Sequence, residues 1–413
     1  MSLAVAGAAI RSAGLVLDPG SFDLEALARA HDTPFYLYDL AVVEDRVSAL
    51  RAALPDPFHL AYAVKANPHR AMLGRMANLG LGADIASGGE LARVIAAGVD
   101  LDRVVFTGPG KRDAELASAV AAGVGLITVE SSGELRRLAS IAATAGRRVS
   151  ILLRRSLDPM DALVAETTPI IGDGGAGKFG MDDDDLRASA TFAIDSPWLE
   201  LRGIHAFGAS NVLDAPAVIR HVEQTMAVGR RLAMELGFAL RTVDIGGGLG
   251  IPYADAEAPL DLQALGDGLD RLVWAWATDP VTTDTEVLIE PGRFLVGPAG
   301  VYVTRVVDTK RVRGRAIAIV DGGINHLIRP VLVGQSQRIR RVGAFAADGA
   351  AAGMEQVTIG GPLCTGLDIL ARDIAIGMPE VGELLAVLDT GAYGYTESMP
   401  LFLSRPLPAE VIV

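Results

Sequence analysis

The stretch HLAYAVKANPHRAMLGRMANL (residues 59–79) shows the clearest change of pattern in this 413-residue chain. Residues 59–64 are mostly apolar and predict a buried strand, whereas residues 68–79 carry apolar side chains at helical spacing. Lys65 stands where the strand ends. A strand that leads directly into a helix is the repeating unit of a parallel α/β sheet, so this stretch predicts an α/β fold.

The same alternation continues as far as residue 289. Further strands are predicted over residues 103–107, 126–129, 148–154, 199–207, 241–245 and 286–289. Helices are predicted over residues 89–97, 113–122, 132–145, 215–236 and 262–277. Roughly eight such units in about 250 residues is the size of a closed (β/α)8 TIM barrel. A doubly wound open sheet is the alternative, because periodicity does not decide whether a sheet closes.

The pattern changes after about residue 290. Residues 301–307, 315–320 and 383–388 are short apolar runs separated by Gly, Asp and Pro, which is typical of an all-β domain. Residues 35–38 also predict a strand. We therefore expect a barrel domain over residues 42–289. Residues 1–41 and 290–413 are expected to form a β-rich domain together.

Composition limits the partners and the compartment. The chain has 37 Lys and Arg against 50 Asp and Glu, a net charge of −13, which argues against a nucleic-acid surface. Its single cysteine, Cys364, cannot form an intrachain disulfide, and this favours a reducing cytoplasm. Residues 1–12 do not have the pattern of a signal peptide, and no apolar stretch is long enough to cross a membrane. We expect a cytoplasmic protein that binds neither nucleic acid nor membrane.

Five short motifs place reactive or anion-binding residues at strand ends or in turns. They are YAVKANP (62–68), DIGGGLG (244–250), EPGR (290–293), GPLCTGLD (361–368) and GAYG (391–394). A crowded lysine becomes a nucleophile toward aldehydes, and a glycine run after a strand offers backbone N–H groups to an anion. Each motif also has an ordinary explanation: an exposed lysine, a flexible loop, a surface salt bridge, a small buried cysteine or a packing tyrosine.

In this order and spacing, the motifs resemble the fold-type III decarboxylases that depend on pyridoxal 5'-phosphate (PLP) and act on ornithine, arginine or diaminopimelate. The resemblance covers residues 33–413 and includes GADIASGGE (82–90), GKFG (177–180) and RPLPAEV (405–411). It implies PLP as the cofactor and a PLP-binding barrel with a β-domain. It also implies a head-to-tail homodimer, in which Cys364 and Asp368 of one subunit complete the other subunit's site.

The resemblance also implies roles for single residues. Lys65 would hold PLP covalently, Glu290 would pair with the pyridine nitrogen, and Cys364 would return a proton to Cα. The expected phosphate ligands are Gly246, Gly247, Gly248, Ser210 and Tyr393. The remaining expected contacts are Asp84 and Glu90 with the cofactor, and Arg293 with the phosphate or the substrate carboxylate. A carboxylate beside the ring nitrogen keeps it protonated, which suits the loss of carbon dioxide. No metal is expected, because the six histidines show no ligand spacing.

One departure from the family pattern lies on a barrel strand. Phe207 stands where the family has a histidine that stacks on PLP. Phenylalanine can stack on a ring but cannot donate a hydrogen bond. His205, two residues earlier, points to the same side of the strand. It is either a substitute for the missing histidine or an ordinary core residue.

The other departures concern the substrate. Thr365 replaces an acidic residue that grips a distal amino group in diaminopimelate enzymes, although Asp368 lies nearby. Val333 replaces an expected tyrosine, whereas Arg329 matches an arginine that binds a distal carboxylate. This pattern suits an amino acid without a distal amino group. It is similar to the antibiotic-pathway branch that decarboxylates glutamate tethered to an acyl carrier protein.

The sequence leaves three alternatives. A diaminopimelate decarboxylase that makes L-lysine shares the chemistry but needs a substitute for the acidic residue at position 365. A racemase on the same barrel would use Tyr393 as a second base, but Cys364 and Glu290 speak against it. A non-catalytic regulatory homologue is disfavoured because Lys65 and Cys364 are both present.

Overall fold

The computed structural model describes residues 15–157, 177–334, 337–343 and 354–413. Residues 1–12, for which no signal peptide was predicted, lie outside these ranges. The described residues form two compact units. The barrel unit contains residues 48–251 and 259–294, and the sheet unit contains the described parts of 1–47, 252–258 and 295–413.

The regular elements are numbered in chain order. The strands are β1 (Phe35–Tyr38), β2 (Phe58–Ala63), β3 (Gly82–Ile85), β4 (Val104–Phe106), β5 (Leu126–Val129), β6 (Val149–Arg154), β7 (Leu199–His205), β8 (Thr242–Asp244), β9 (Glu286–Ile289), β10 (Gly300–Val312), β11 (Arg315–Val320), β12 (Ile339–Arg341), β13 (Gln356–Gly360), β14 (Ile369–Ala375), β15 (Leu384–Val387) and β16 (Ala409–Ile412). The helices are α1 (Leu24–His31), α2 (Leu40–Ala53), α3 (Arg70–Asn78), α4 (Gly88–Ala97), α5 (Asp113–Ala122), α6 (Ser132–Ala145), α7 (Asp183–Asp195), α8 (Ala215–Leu236), α9 (Leu262–Trp276), α10 (Arg293–Val296) and α11 (Arg329–Val333).

Strands β2 to β9 close into an eight-stranded parallel barrel. The closing pair is β2 with β9, in which Phe58 is aligned with Val287 and Leu60 with Ile289. This confirms the predicted (β/α)8 barrel and excludes the doubly wound open sheet. Because all strands run in one direction, the residues that follow them meet at one end of the barrel, where TIM barrels carry their active sites.

Local sequence explains where the barrel helices begin. The side chains of Ser87 and Ser131 accept hydrogen bonds from the backbone N–H groups of Glu90 and Glu134, which caps α4 and α6. Strand β3 and helix α7 of the barrel were not predicted, and neither were α1, α2, α10, α11, β12, β13, β14 and β16. Strand β3 has the sequence GADI, whose Gly and Asp have low strand propensity. In the described part of the chain, no helix is long and apolar enough to cross a membrane.

The sheet unit is built on an eight-stranded sheet with the strand path β12-β15-β10-β11-β13-β14. Strand β1 pairs antiparallel with β10 and parallel with the C-terminal β16, so both ends of the chain contribute to it. This agrees with the predicted β-rich fold. Residues 42–47 and 252–258, which we placed in the barrel domain, group with this unit, whereas residues 290–294 group with the barrel unit. Asp255, within residues 252–258, pairs with Arg338 at 3.7 Å and with Arg340 at 3.6 Å.

A buried ion pair lies inside the barrel unit. The Nζ atom of Lys111 is 2.9 Å from Glu134 Oε1, and the two side chains are 1% and 3% exposed. Lys111 also donates to the carbonyl oxygens of Gly108 and Thr128, at 2.6 and 2.8 Å. Burial lowers the pKa of Lys111 and outweighs the opposing effect of Glu134. Lys111 therefore has a structural role inside the barrel unit.

Removing this lysine should destabilise the barrel. Lys111→Met would leave Glu134 buried without its cation and lower the free energy of unfolding by about 3–5 kcal/mol, measured by urea denaturation. The double variant Lys111→Met/Glu134→Leu should lose clearly less, because no charge is then left unpaired. Equal losses in the single and double variants would contradict this account.

Candidate active site

Lys65 lies at the mouth of the barrel. It belongs to a single 3-10 turn, Val64–Ala66, that directly follows β2. Its Nζ donates a hydrogen bond of 2.6 Å to Asp84 Oδ2 on the adjacent strand β3. The Lys65 side chain is 46% exposed, whereas that of Asp84 is fully buried. This amine is held by a carboxylate but still open to a ligand.

Burial raises the pKa of two carboxyl groups near Lys65, those of Asp84 and Glu90. Burial and the charge of Glu290 raise the pKa of Asp84, while Lys65 lowers it. Burial also raises the pKa of Glu90, which accepts a 2.7 Å hydrogen bond from the backbone N–H of Ala86. Glu90 therefore fixes the turn after β3.

The glycine run after β8 fits its surroundings only as glycine. Gly246 and Gly248 have φ angles of +66° and +102°, in the region that other residues avoid. A Cβ on Gly247 would lie 2.5 Å from the carbonyl oxygen of Glu290, and one on Gly246 would lie 2.7 Å from Phe207 Cδ2. The loop is thus packed closely against neighbouring strand ends.

The segment after β7 meets the same loop. A Cβ on Gly248 would lie 2.4 Å from the carbonyl oxygen of Ala209, beside Ser210. Arg293, at the start of α10, is 4% exposed and its Nη2 donates a 3.1 Å hydrogen bond to Ser210 Oγ. The structure therefore brings together Ser210, Arg293 and the glycine loop. Such a combination of backbone N–H groups, hydroxyl and guanidinium suits a phosphate.

Glu290 follows β9 and has two close polar neighbours. His205 Nε2 is 3.8 Å from Glu290 Oε2, and the ligand atoms of His205, Asp244 and Glu290 lie within 4.8 Å of one another. Burial raises the pKa of Asp244, and Glu290 raises it further. Burial also acts to raise the pKa of Glu290, but His205 and Lys65 lower it to about 2. Glu290 is therefore the ionised member of this group.

No role was predicted for Asp244, and that of His205 was left open between cofactor contact and core packing. The signal that could have found them is strand register. His205 ends β7 and is aligned with Asp244, which ends β8. The same three residues are close enough together to bind a metal ion, which histidine spacing alone did not indicate.

In the sheet unit, Arg329 is already paired. It begins α11, is 5% exposed, and its Nη1 donates to both carboxylate oxygens of Glu397, at 3.2 and 2.9 Å. Its guanidinium also lies 4.7 Å from the ring centroid of Tyr393. The residue predicted to bind a substrate carboxylate is thus neutralised by a carboxylate of its own unit.

The loop after β13 contains three predicted residues. Cys364 is exposed, and Thr365 Oγ1 accepts a 3.3 Å hydrogen bond from the backbone N–H of Leu367. Asp368 is 3% exposed, and its two oxygens accept from the backbone N–H groups of Ile324 and Leu363, at 2.8 and 2.7 Å. Within its own chain Asp368 therefore holds this loop, and its contact with substrate stays a prediction.

The barrel mouth fits PLP. It offers a half-exposed lysine amine, a glycine loop with an arginine and a serine for an anion, and a buried carboxylate. Oδ1 of Asp84 and Oε1 of Glu290 are buried atoms without a hydrogen-bond partner among the described residues. Buried polar atoms normally have partners, so these are places where a polar ligand is expected. Fold and site together define a PLP-binding barrel enzyme.

Comparisons with known proteins agree. Residues 40–297 match the family described as pyridoxal-dependent decarboxylase, pyridoxal binding domain. The chain is 32% identical over 393 residues to L-glutamyl-[BtrI acyl-carrier protein] decarboxylase of Niallia circulans, covering 94% of this chain and 91% of that protein. It is 35% identical to diaminopimelate decarboxylase of Aquifex aeolicus, covering 94% and 89%.

A solved structure gives the same answer. Diaminopimelate decarboxylase from Helicobacter pylori, complexed with L-lysine, superposes with a TM-score of 0.85 at 28% identity, covering 95% of this chain and 94% of that one. The chain therefore belongs to the pyridoxal-dependent decarboxylases, which are carboxy-lyases that act on amino acids. The predicted family, enzyme class and cofactor are confirmed.

Proposed function

We propose that this enzyme removes the α-carboxylate of a glutamate-like amino acid whose distal carboxyl group is tethered to a carrier protein. The observation that carries the proposal is the ion pair between Arg329 and Glu397. The similarity to a decarboxylase of carrier-bound glutamate supports it. The single cysteine suits a reducing cytoplasm as the place of action.

The tether limits the chemistry at the distal end of the substrate. Decarboxylation at Cα needs a free α-carboxylate, so the thioester link to a carrier must use the side-chain carboxyl group. That group is then neutral. A site for it needs neither a cation nor an anion at the distal end. Thr365 is uncharged, and Arg329 already carries the carboxylate of Glu397.

The catalytic roles follow from the barrel residues. When bound, PLP would supply a sink for the electron pair that remains at Cα when carbon dioxide leaves. Lys65 would hold the cofactor covalently, and Arg293, Ser210 and the glycine loop would orient its phosphate. Glu290, kept ionised, would stabilise a proton on the ring nitrogen. Cys364 then donates the proton that Cα needs.

We also propose a homodimer with shared sites. Exposed apolar side chains occur in two segments of the sheet unit, with Leu367, Leu401 and Leu407 at 63%, 85% and 56% exposure. A hydrogen bond of 3.1 Å from Arg405 Nη2 to the carbonyl oxygen of Pro362 joins these segments. Cys364 lies in the first of them. Exposed apolar patches of this kind are typical of protein interfaces.

Decarboxylation of diaminopimelate is the second candidate. It is favoured by the 35% identity to the Aquifex aeolicus enzyme, which slightly exceeds the 32% to the carrier-dependent enzyme. Diaminopimelate carries an ammonium and a carboxylate at its distal end. It would therefore need Arg329 to exchange Glu397 for the substrate carboxylate. It would also need an anion for the substrate ammonium, which the uncharged Thr365 does not provide.

Carbon dioxide release separates the two candidates. We expect turnover of carrier-bound γ-glutamyl thioester, and turnover of meso-diaminopimelate lower by at least about 100-fold, since two charged groups of the latter would be buried unpaired. Preferred turnover of meso-diaminopimelate would refute the proposal.

The variant Glu397→Ala tests the argument from the ion pair between Arg329 and Glu397. It would free Arg329 for a distal carboxylate, so turnover of free L-glutamate should rise by about tenfold, the effect of one charge-assisted hydrogen bond. Glu223→Ala, which removes an exposed carboxylate on α8, is the matched control and should change nothing. An unchanged rate with free glutamate in Glu397→Ala would remove the argument from the ion pair.

A further inference from the structure

Three buried carboxyl groups, those of Asp84, Asp244 and Glu290, lie at the end of the barrel. Asp84, Asp244 and Glu290 are 1%, 0% and 4% exposed. Lys65 contacts Asp84, and His205, a cation when protonated, lies 3.8 Å from Glu290. Buried carboxylates repel one another strongly, so such a group lowers its energy by keeping a proton on one member. Each of the three carboxyl groups is a candidate for holding this proton.

The buried polar atoms that lack hydrogen-bond partners identify the groups that can share this proton. Among the described residues, Asp244 Oδ2, Glu290 Oε1 and both ring nitrogens of His205 are buried without a hydrogen-bond partner. Asp244 Oδ1, by contrast, accepts a 2.8 Å hydrogen bond from the backbone N–H of Gly246. Groups of these three residues lie within 4.8 Å of one another. They can therefore satisfy each other if one carboxyl group carries a proton and donates it.

We propose that Asp244 and His205 are positioning residues for Glu290. In this arrangement Asp244 is a neutral carboxylic acid that donates a hydrogen bond toward Glu290, and a ring nitrogen of His205 donates to the same carboxylate. Glu290 then stays an anion although it is buried, which is the state that a protonated pyridine nitrogen requires. The inference rests on the cofactor of the family and is independent of the substrate.

The surroundings favour this division of charge. Burial, Glu290 and Asp84 all raise the pKa of Asp244, against the hydrogen bond from Gly246. The opposing effects on Glu290 come from burial on one side and from His205 and Lys65 on the other, and its pKa is lowered. Phe207, which follows β7, cannot donate a hydrogen bond, whereas His205 at the end of β7 can, and its Nε2 lies 3.8 Å from Glu290 Oε2.

The variant Asp244→Asn tests the proton on Asp244. Asparagine keeps the shape, the acceptor for the Gly246 N–H and a neutral donor toward Glu290. The infrared spectrum of the apoenzyme at pH 7 should lose the carbonyl stretching band of a protonated carboxylic acid, while Kd for PLP stays within about threefold of wild type. A carboxylic acid band that is unchanged in Asp244→Asn would overturn the proposal.

The variant His205→Phe tests the second donor. Without the ring nitrogen, Glu290 loses a stabilising contact of its anion, so its pKa rises and its ionisation moves to higher pH. The pH at which the absorbance of bound PLP changes should move upward, and Kd for PLP should rise by about tenfold. His205→Gln retains a donor and should recover most of both effects.

A control variant and a metal-binding measurement distinguish a positioning role of His205 from a merely structural one. His326→Phe is the matched control, because His326 is also a buried histidine but belongs to the sheet unit, where its Nε2 contacts the carbonyl oxygen of Pro406. It should leave the pH profile unchanged. Equal pH profiles in His205→Phe and His205→Gln would refute the proposal. Binding of Zn²⁺ by the apoenzyme that disappears in His205→Phe would also refute it, since the three groups would then be metal ligands.

Discussion

The Lys65→Ala variant should contain no covalently bound PLP and should lose activity by at least about 1,000-fold, as expected when an essential nucleophile is removed. The chain has only four lysines: Lys65, Lys111, Lys178 and Lys310. Borohydride reduction followed by mass spectrometry should therefore find the cofactor on Lys65 alone. The absorbance band of bound PLP should be present in the wild type and absent in the variant.

The other lysines provide the controls. Lys178 lies 5.1 Å from the Phe179 ring centroid, and Lys310 is exposed on β10. Lys178→Ala and Lys310→Ala should both keep the absorbance band. Cofactor found on any lysine other than Lys65 would contradict the assignment. Lys111 is a poor control, because its removal is expected to destabilise the barrel.

Cys364→Ala should lower kcat by about 100-fold or more, the usual contribution of a general acid, without weakening PLP binding. The thiol is proposed to return the proton to Cα and not to hold the cofactor. Carbon dioxide release and the absorbance of bound PLP measure the two effects separately. Loss of PLP together with activity in Cys364→Ala would contradict the proposed role.

Mixing variants tests whether subunits share their sites. Dimers formed from equal amounts of Lys65→Ala and Cys364→Ala chains would have one intact site in half of the molecules, so about a quarter of wild-type activity should return. Activity no higher than that of the parents would refute shared sites. Mixing Lys65→Ala with Glu290→Ala gives no intact site and is the control, because both residues lie in the barrel unit.

The fold was largely predictable because its information is local. Helices α5, α6 and α8 have the predicted bounds, since α6 and α8 show a clear apolar periodicity and α5 is rich in alanine, the strongest helix former. Helix α7 was missed because it begins with a run of aspartates that resembles a loop and buries only small side chains beside Leu186. Strand β3 was missed because its stability comes from two neighbouring strands and not from its own residues.

Only those site residues that belong to recognisable motifs could be predicted from the sequence. Lys65, Glu290 and the glycine run lie in recognisable stretches, and the structure places all of them at one end of the barrel. Asp244 and Glu397 could not be assigned in the same way. Their roles depend on partners that come close only after folding, across a barrel register or between α11 and the C-terminal segment.

Barrel closure also determines where this chain can associate through its backbone. Because β2 pairs with both β3 and β9, the ring has no free edge that could accept a foreign strand. In the part of the sheet unit that the structure describes, β12 and β14 each pair on one side only. Aggregation by strand addition is therefore expected to start from the sheet unit, and stabilising the barrel further would do little to prevent it.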